Sequence, residues 1–376
     1  MSITTNNIVI VGAGIVGAAC ADELSRRGLS VVVVDCNGIA GGATGAAMGH
    51  IVVMDDSEAQ FALTRYSQQL WQALRPELPD DVEFDQPGTI WIAADEEEMA
   101  EVQRKRSYYQ QHSVVVEELG QRALRQLEPN LRIGLAGGLK VPADCVLNPA
   151  RAARFLMERA QKWGAKLLLG QSVTQIGNGC VRLADGSVLS ANVIVNAAGI
   201  SASDLTSGIE IRKRKGHLAI TDRRPGFLRH QLVEFGYLKS AHSVSGDSVA
   251  FNVQPRRGGQ ILIGSSRQYG VEHKEVDNDI LEKMLQRAER YMPGLRKTSM
   301  VQSWAGFRAA TPDKLPLIGP WPADKSIFLA TGHEGLGITT SLGTARILAD
   351  QITGAKPEIP VEPYWPSRVA REHVHA

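Results

Sequence analysis

The chain opens on an apolar run, Ile8 to Val11, that stops at Gly12. β-Branched residues in so short a run predict a buried strand. From Ala13 to Arg27, Ala, Val and Leu recur at helical spacing, and Gly28 follows as a helix-ending glycine. Val31 to Val34 is a run of four valines, apolar on both faces, as inside a parallel sheet. Strand, helix and strand in this order predict a βαβ unit. Further strands are expected at Lys166 to Leu169, Val193 to Asn196 and Ser326 to Ala330, and a helix from about Thr340 to Thr353.

Residues 85 to 144 and 213 to 302 read differently. Strands are predicted at Gly88 to Ala94, Lys215 to Thr221, Gln231 to Lys239, Ser248 to Val253 and Gln260 to Ser265. Turns such as Ser245-Gly246-Asp247 and Arg257-Gly258-Gly259 separate several of them. Short spacing and hairpin turns predict an antiparallel sheet. Asp279 to Tyr291 is expected to be a surface helix. A length of 376 residues exceeds what one core usually serves. The expected fold is α/β (α+β): a Rossmann-like domain with a parallel sheet over 1–84, 145–212 and 303–376. An antiparallel-sheet domain, 85–144 and 213–302, interrupts it twice and is expected to form the substrate pocket.

The turn after the first strand reads Gly12-Ala13-Gly14-Ile15-Val16-Gly17, which is G-x-G-x-x-G in the context that gives it meaning. Gly12 permits the tight turn, Gly14 lets a pyrophosphate approach the backbone, and Gly17 lets helix and strand pack closely. The helix N-terminus presents free N–H groups and a positive dipole end. Asp35 closes the second strand at about the 20-residue distance at which an acid meets the adenosine ribose, and it would repel a 2′-phosphate. The motif alone does not choose between FAD and NAD. Gly41 to His50 (Gly-Gly-Ala-Thr-Gly-Ala-Ala-Met-Gly-His) cannot build a core and can wrap further phosphate and ribityl chain. Val193 to Asn196 runs into Ala197-Ala198-Gly199, and the late strand runs into Thr331-Gly332-His333-Glu334-Gly335-Leu336-Gly337-Ile338-Thr339. A second glycine loop at a second helix N-terminus suits the electron-rich O2 side of a reduced flavin. A nicotinamide enzyme does not require it.

Charge narrows the classes. The formal net charge is +1, so no basic field exists to hold nucleic acid. The densest basic run, Arg212-Lys213-Arg214-Lys215, is expected to be a solvated loop or strand end. Cys20, Cys36, Cys145 and Cys180 contain no C-x-x-C pair, so no metal or iron–sulfur site is expected within this chain. Met1 to Asn7 is polar without Lys or Arg, and no apolar stretch nears the roughly 20 residues that span a bilayer. The expectation is a cytoplasmic enzyme.

These segments resemble the D-amino acid oxidase and glycine oxidase family of flavoproteins over nearly the whole chain. The landmarks are the N-terminal glycines with Asp35, the Ala43 to His50 loop, Gly306-Phe307-Arg308-Ala309-Ala310-Thr311-Pro312-Asp313, Leu315-Pro316-Leu317-Ile318-Gly319 and the Gly332-His333 loop. Gly42 to Asp56 and Gly332 to Thr344 look most like the FAD-carrying beta subunits of D-hydroxyproline dehydrogenase, opine oxidase and hydrogen cyanide synthase type enzymes. The resemblance implies FAD as cofactor. Its contacts would lie at Gly12, Ala13, Gly14, Ile15, Val16 and Gly17, at Asp35 and Cys36, and at Gly42, Ala43, Thr44, Ala46, Ala47, Met48 and Gly49. It would continue at Ala198 and Gly199 and at Gly332, His333, Gly335, Leu336, Gly337, Ile338 and Thr339, with a backbone contact to adenine near Val173. It also implies that Arg308 grips a substrate carboxylate. Glycine oxidases carry a second Arg in the closing loop, where this chain has Glu334 or its neighbours.

The implied reaction is oxidation of a small amino or imino acid, cis-4-hydroxy-D-proline or D-proline first. The Cα hydrogen leaves as hydride to flavin N5, and a planar guanidinium fixes the carboxylate through two parallel hydrogen bonds. The amine must be neutral, yet no dedicated base stands out. Lys239 with Tyr237 and His242 lie at one predicted strand end, facing either a small polar ligand or solvent, and His50 lies next to the flavin loop, as a ring contact or a structural histidine. His333 is read as held by the loop and not as a base. Electrons would pass to partner subunits carrying a further flavin or a 2Fe–2S cluster. The rival readings are an oxygen-using oxidase of glycine, sarcosine or a D-amino acid, an opine oxidase subunit, and a flavin-holding subunit without chemistry of its own. An NAD-dependent dehydrogenase comes last.

Overall fold

A computed structural model describes residues 7–236 and 247–370. Tyr237, Lys239 and His242 lie outside the described residues, as do most of the Ser245-Gly246-Asp247 turn and the end of the strand expected to reach Lys239. The chain divides into two compact units. One comprises Met1–Val82, Asn148–Lys213 and Phe307–Ala376, and the other Glu83–Leu147 and Arg214–Gly306.

In the first unit the opening strand is Asn7–Val11 and the valine strand is Ser30–Asp35. They lie in a six-stranded sheet whose order is Leu317–Trp321, Asp324–Thr331, Val193–Asn196, Asn7–Val11, Ser30–Asp35, Lys166–Leu169. The central ladders are parallel, with Val11 opposite Asn196 and Asn196 opposite Leu329, while Leu317–Trp321 closes one edge antiparallel. Ile8, Ile10, Val33, Val34 and Val195 are fully buried, as continuous apolar strands in a parallel sheet require. The first helix, Ile15–Arg26, packs on Pro149–Lys162 and on the closing helix, Gly337–Thr353. Its buried residues include the small Gly17, Ala18, Ala19, Cys20 and Ala21, which let neighbouring backbones come close. Gly28, at φ +81°, ends it as the pattern predicts. The closing helix begins at Gly337 rather than near Thr340, because the Gly335–Gly337 stretch coils directly into it.

The second unit holds an eight-stranded sheet in the order Met300–Ala310, Arg212–Thr221, Ile261–Arg267, Ser248–Pro255, Gln231–Glu234, Thr89–Ala93, Gly137–Val141, Glu117–Gly120. Gln231–Glu234 runs parallel to Thr89–Ala93, so the sheet is mixed rather than purely antiparallel. The two strands are joined by a long crossover instead of a hairpin, which permits a parallel pair. Helix Asn278–Tyr291 is amphipathic. Ile280, Met284, Ala288 and Tyr291 are buried, and the Tyr291 ring stacks on Phe251 at 4.5 Å.

The basic run is not a solvated end. Arg212 is exposed, but Arg214 is 3 % and Lys215 0 % accessible. The run occupies a strand flanked on both sides by Met300–Ala310 and Ile261–Arg267, and their burial comes with that position.

Candidate functional site

The first unit brings the carboxyl ends of three adjacent parallel strands to one edge of its sheet. Asn7–Val11 runs into Gly12, Val193–Asn196 into Ala197, and Asp324–Thr331 into Gly332. Neighbouring strands stand about 4.8 Å apart, so the first and third glycine turns are separated by roughly 10 Å, within the reach of one dinucleotide. In open α/β sheets this edge is where ligands bind.

The opening turn is locked by its own backbone. Gly12 N–H donates to Val34 O at 2.8 Å, and Ala13 N–H to Asp35 Oδ2 at 2.7 Å. The other oxygen of Asp35 accepts from the N–H groups of Asn37 and Gly38. Gly12 sits at φ +110°, and a Cβ there would lie 2.4 Å from Ala197 O; one on Gly17 would lie 1.9 Å from Gly12 O. Only glycine allows this contact between turn, helix and strand. Thr44 Oγ1 accepts from Ile15 N–H at 2.9 Å, so the small-residue loop closes over the helix N-terminus. The helix carries no acidic residue in its first turn and no capping side chain from Gly14. Its remaining N–H groups suit an anion.

Within the Gly41 to His50 loop, Gly45 N–H donates to Ala40 O and Ala47 N–H to Thr44 O. Gly42 and Ala43 are exposed, Ala46 and Ala47 half-buried, and Met48 and Gly49 buried. His50 follows, half-buried, and its carbonyl accepts from Thr339 Oγ1 at 2.9 Å. Thr339 Oγ1 also accepts from Val52 N–H at 3.3 Å, so the two glycine-rich segments are tied together.

The closing loop is built with similar economy. A Cβ on Gly332, at φ +79°, would lie 2.5 Å from Thr311 Cγ2. His333 pairs with Ala310 in an isolated antiparallel bridge. Its Nε2 faces Thr344 Oγ1 at 2.9 Å, and burial pulls its pKa down to about 3. The ring is therefore neutral and too weakly basic to take a proton from an amine. Arg308, near the end of the strand Met300–Ala310, lays its side chain against the loop. Its Cδ and Nε lie 3.8 and 3.9 Å from where a Cβ on Gly335 would stand. Leu336 gives the closing helix no side-chain cap, and its first turn holds no acid.

Between these loops, Asn196 Oδ1 accepts from Ala198 N–H at 3.2 Å, and Thr331 Oγ1 donates to Gly199 O at 3.1 Å. Gln171 N–H donates to Asp35 O at 3.1 Å, which brings the segment leading into half-buried Val173 beside the acid. Cys36 is exposed next to Asp35.

Two helix N-termini free of acidic side chains, glycine turns without room for a Cβ and a carboxylate at the end of the second strand fit a dinucleotide. The description FAD dependent oxidoreductase (DAO) is that of a family whose model matches residues 7–351. The chain belongs to this family. This FAD-dependent oxidoreductase is 28 % identical to hydrogen cyanide synthase subunit HcnC of Pseudomonas aeruginosa, over 98 % of this chain and 97 % of that one. Its fold matches the crystal structure of glycine oxidase from Geobacillus kaustophilus at a TM-score of 0.86 and 25 % identity, covering 96 % of this chain and 98 % of that one. It also matches L-proline dehydrogenase from P. horikoshii at a TM-score of 0.87 and 24 % identity, covering 98 % of each.

FAD is the cofactor of this oxidoreductase. The structure gathers the Gly12–Gly17 turn, Asp35, Thr44, His50, Ala198, Gly199 and the Gly332–Thr339 loop at one sheet edge, with Arg308 against Gly335. Trp71 escaped the sequence reading. Its buried indole N–H donates to the carbonyls of Ile338 and Thr339 at 3.2 Å each, fixing the first turn of the closing helix. A tryptophan among the glutamines of an amphipathic helix, Glu58–Leu74, was the available signal. Among the described residues no helix is long and apolar enough to cross a membrane.

Proposed function

We propose that this FAD-dependent oxidoreductase oxidises a small amino or imino acid at Cα, cis-4-hydroxy-D-proline or D-proline first, and passes the electrons to partner subunits. The observation that carries the reading is the position of Arg308. Its aliphatic stem rests against Gly335 beside the turn that opens the closing helix. A planar guanidinium can hold a carboxylate by two parallel hydrogen bonds, which would orient the Cα–H bond. The names of the relatives, a glycine oxidase and a proline dehydrogenase among them, support an amino acid as the donor. That one relative is named a subunit supports an assembly.

Bound FAD would supply the two-electron redox chemistry. The contribution of the chain is position and electrostatics. Arg308 binds the carboxylate. His333, neutral and engaged with Thr344, stiffens the loop that carries Gly335. Among the described residues no side chain is assigned to deprotonate the amine, and the reading gives that proton to solvent. The family resemblance implies a second carboxylate-binding arginine in this loop of glycine oxidases, at a place that Glu334 or its neighbours take in this chain. That disfavours glycine and favours a substrate with a further donor group, such as a ring hydroxyl.

The test is anaerobic reduction of the bound flavin by cis-4-hydroxy-D-proline, D-proline, glycine and an opine, compared side by side. The reading expects bleaching to be fastest with the hydroxylated imino acid. Bleaching by glycine alone would replace it with glycine oxidation, and no bleaching by any amino acid would reject it.

A further inference from the structure

We infer that a shallow groove on the second unit, beside the helix Gln121–Leu127, docks an acidic segment of a partner polypeptide through one aliphatic side chain. The groove encloses about 290 Å³ between that helix and the stretch Leu131–Leu135. Its floor is apolar: Leu124, Leu131 and Leu135 are each less than a tenth exposed and belong to the hydrophobic core of the unit. At its rim stand Arg122, Arg125 and Arg132, with Ile133 73 % exposed between them. An isoleucine held so far into water, beside an apolar trough, is surface that a partner would cover.

The charge around the groove identifies the partner. Carboxylates nearby are already engaged elsewhere. Glu118 pairs with Arg106 at 2.7 Å, Glu117 faces Lys140 at 3.5 Å, and buried Glu128 accepts from the N–H groups of Arg229 and His230. Among the described residues no carboxylate pairs with Arg122, Arg125 or Arg132. The patch is therefore locally positive on a chain whose net charge is only +1. Arg132 is also preorganised. Its N–H donates to Tyr291 O at 2.8 Å, its Nη1 to Ile133 O at 3.2 Å, and its guanidinium lies 5.9 Å from the Tyr291 ring centre. Guanidinium groups round an apolar trough, one of them held in place, fit carboxylates flanking a leucine-like anchor, the combination in which arginine is enriched at interfaces. This inference is independent of the substrate assigned above.

The test uses the full flavin-loaded chain and a rhodamine-labelled peptide in which one leucine is flanked by aspartates and glutamates, followed by fluorescence anisotropy. Saturable binding is expected, weakened about tenfold or more by Arg122→Gln with Arg125→Gln. A similar loss is expected when the leucine becomes alanine or the acids become their amides. Raising ionic strength to about 1 M, where the Debye length falls to about 3 Å, should weaken it further. Flavin absorbance and circular dichroism of the double variant should stay unchanged, because both arginines are surface residues. Absent or non-saturable binding, equal binding by wild type and variant, or equal binding of the amide peptide would overturn the inference. So would wild-type binding to phosphatidylglycerol vesicles that the peptide does not compete away, which would make the groove a lipid site.

Discussion

Arg308 is the residue on which the proposed chemistry turns. Truncating it should leave FAD in place, since the backbone of the two glycine turns that fits the dinucleotide is unchanged by the substitution. Losing a charge-assisted carboxylate contact costs about 3–5 kcal/mol, so Arg308→Ala should lower kcat/KM on carboxylate substrates by roughly a hundredfold to a few thousandfold. Steady-state kinetics with flavin content as control decide this, and near wild-type turnover would remove Arg308 from the mechanism. Gly17 makes the complementary case. A methyl group would stand 1.9 Å from Gly12 O, a backbone atom that cannot move without opening the turn. Gly17→Ala should therefore cost more than about 2 kcal/mol and lower the flavin-to-protein ratio of the purified protein. A variant that binds FAD stoichiometrically with an unchanged melting temperature would contradict the close-packing argument. At this scale the glycines and Asp35 were legible in the sequence, because each is needed where it stands by local backbone geometry. The buried lysine and arginine of the 212–215 run were not, because a run of charges says nothing about which neighbours enclose it.

Among the elements, the first helix carries an ionic network on the face it turns to Pro149–Lys162 and Gly337–Thr353. Glu23 accepts from Arg26 and Arg27, with Arg346 at 3.2 Å, and Arg27 reaches Asp350 at 2.7 Å. Burial pushes the Glu23 carboxyl upward, but these arginines together hold it below its usual range. Asp22 behaves oppositely. Burial raises its pKa from 3.8 to about 6, and Arg159 at 3.2 Å only partly offsets this. Between pH 3.8 and about 6 the folded protein holds a proton on Asp22 that the unfolded chain has released. Stability from this group thus falls as pH rises through that window. Asp22→Asn should consequently stabilise the protein above pH 6, by at most about 3 kcal/mol, with the gain vanishing below about pH 4. Denaturant titrations at the two pH values measure it, and a destabilised variant at pH 7 would show that the ion pair with Arg159 outweighs desolvation. Element positions were legible in part: the helices Glu58–Leu74, Glu96–Gln111 and Pro149–Lys162 were not read from the sequence. Val193–Asn196 and Lys166–Leu169 occur as the hydrophobic pattern places them, and the late helix starts only slightly early.

For the molecule as a whole, turnover requires an acceptor for the electrons of the reduced flavin. None of the four cysteines forms a disulfide, and no group of metal-ligating side chains occurs among the described residues. On the proposed reading an external relay receives the electrons. The isolated chain should then reduce an artificial dye quickly and consume oxygen slowly with the same substrate. An oxygen electrode and a dye assay run in parallel test this, and fast oxygen consumption would make the chain a self-sufficient oxidase.

The sequence by itself determined the dinucleotide-binding architecture: strand, glycine turn, helix, valine strand and terminal acid. Each of those signals is local, set by φ/ψ allowance, helix dipole and the period of apolar residues. The tertiary structure alone decided which distant segments meet. It laid Arg308 against Gly335, set Trp71 on the carbonyls of the closing helix, ran Gln231–Glu234 parallel to Thr89–Ala93, and buried Arg214 and Lys215 within a sheet. Contacts of that kind depend on how elements far apart in the chain pack together, and that packing leaves no periodic trace in the order of the residues.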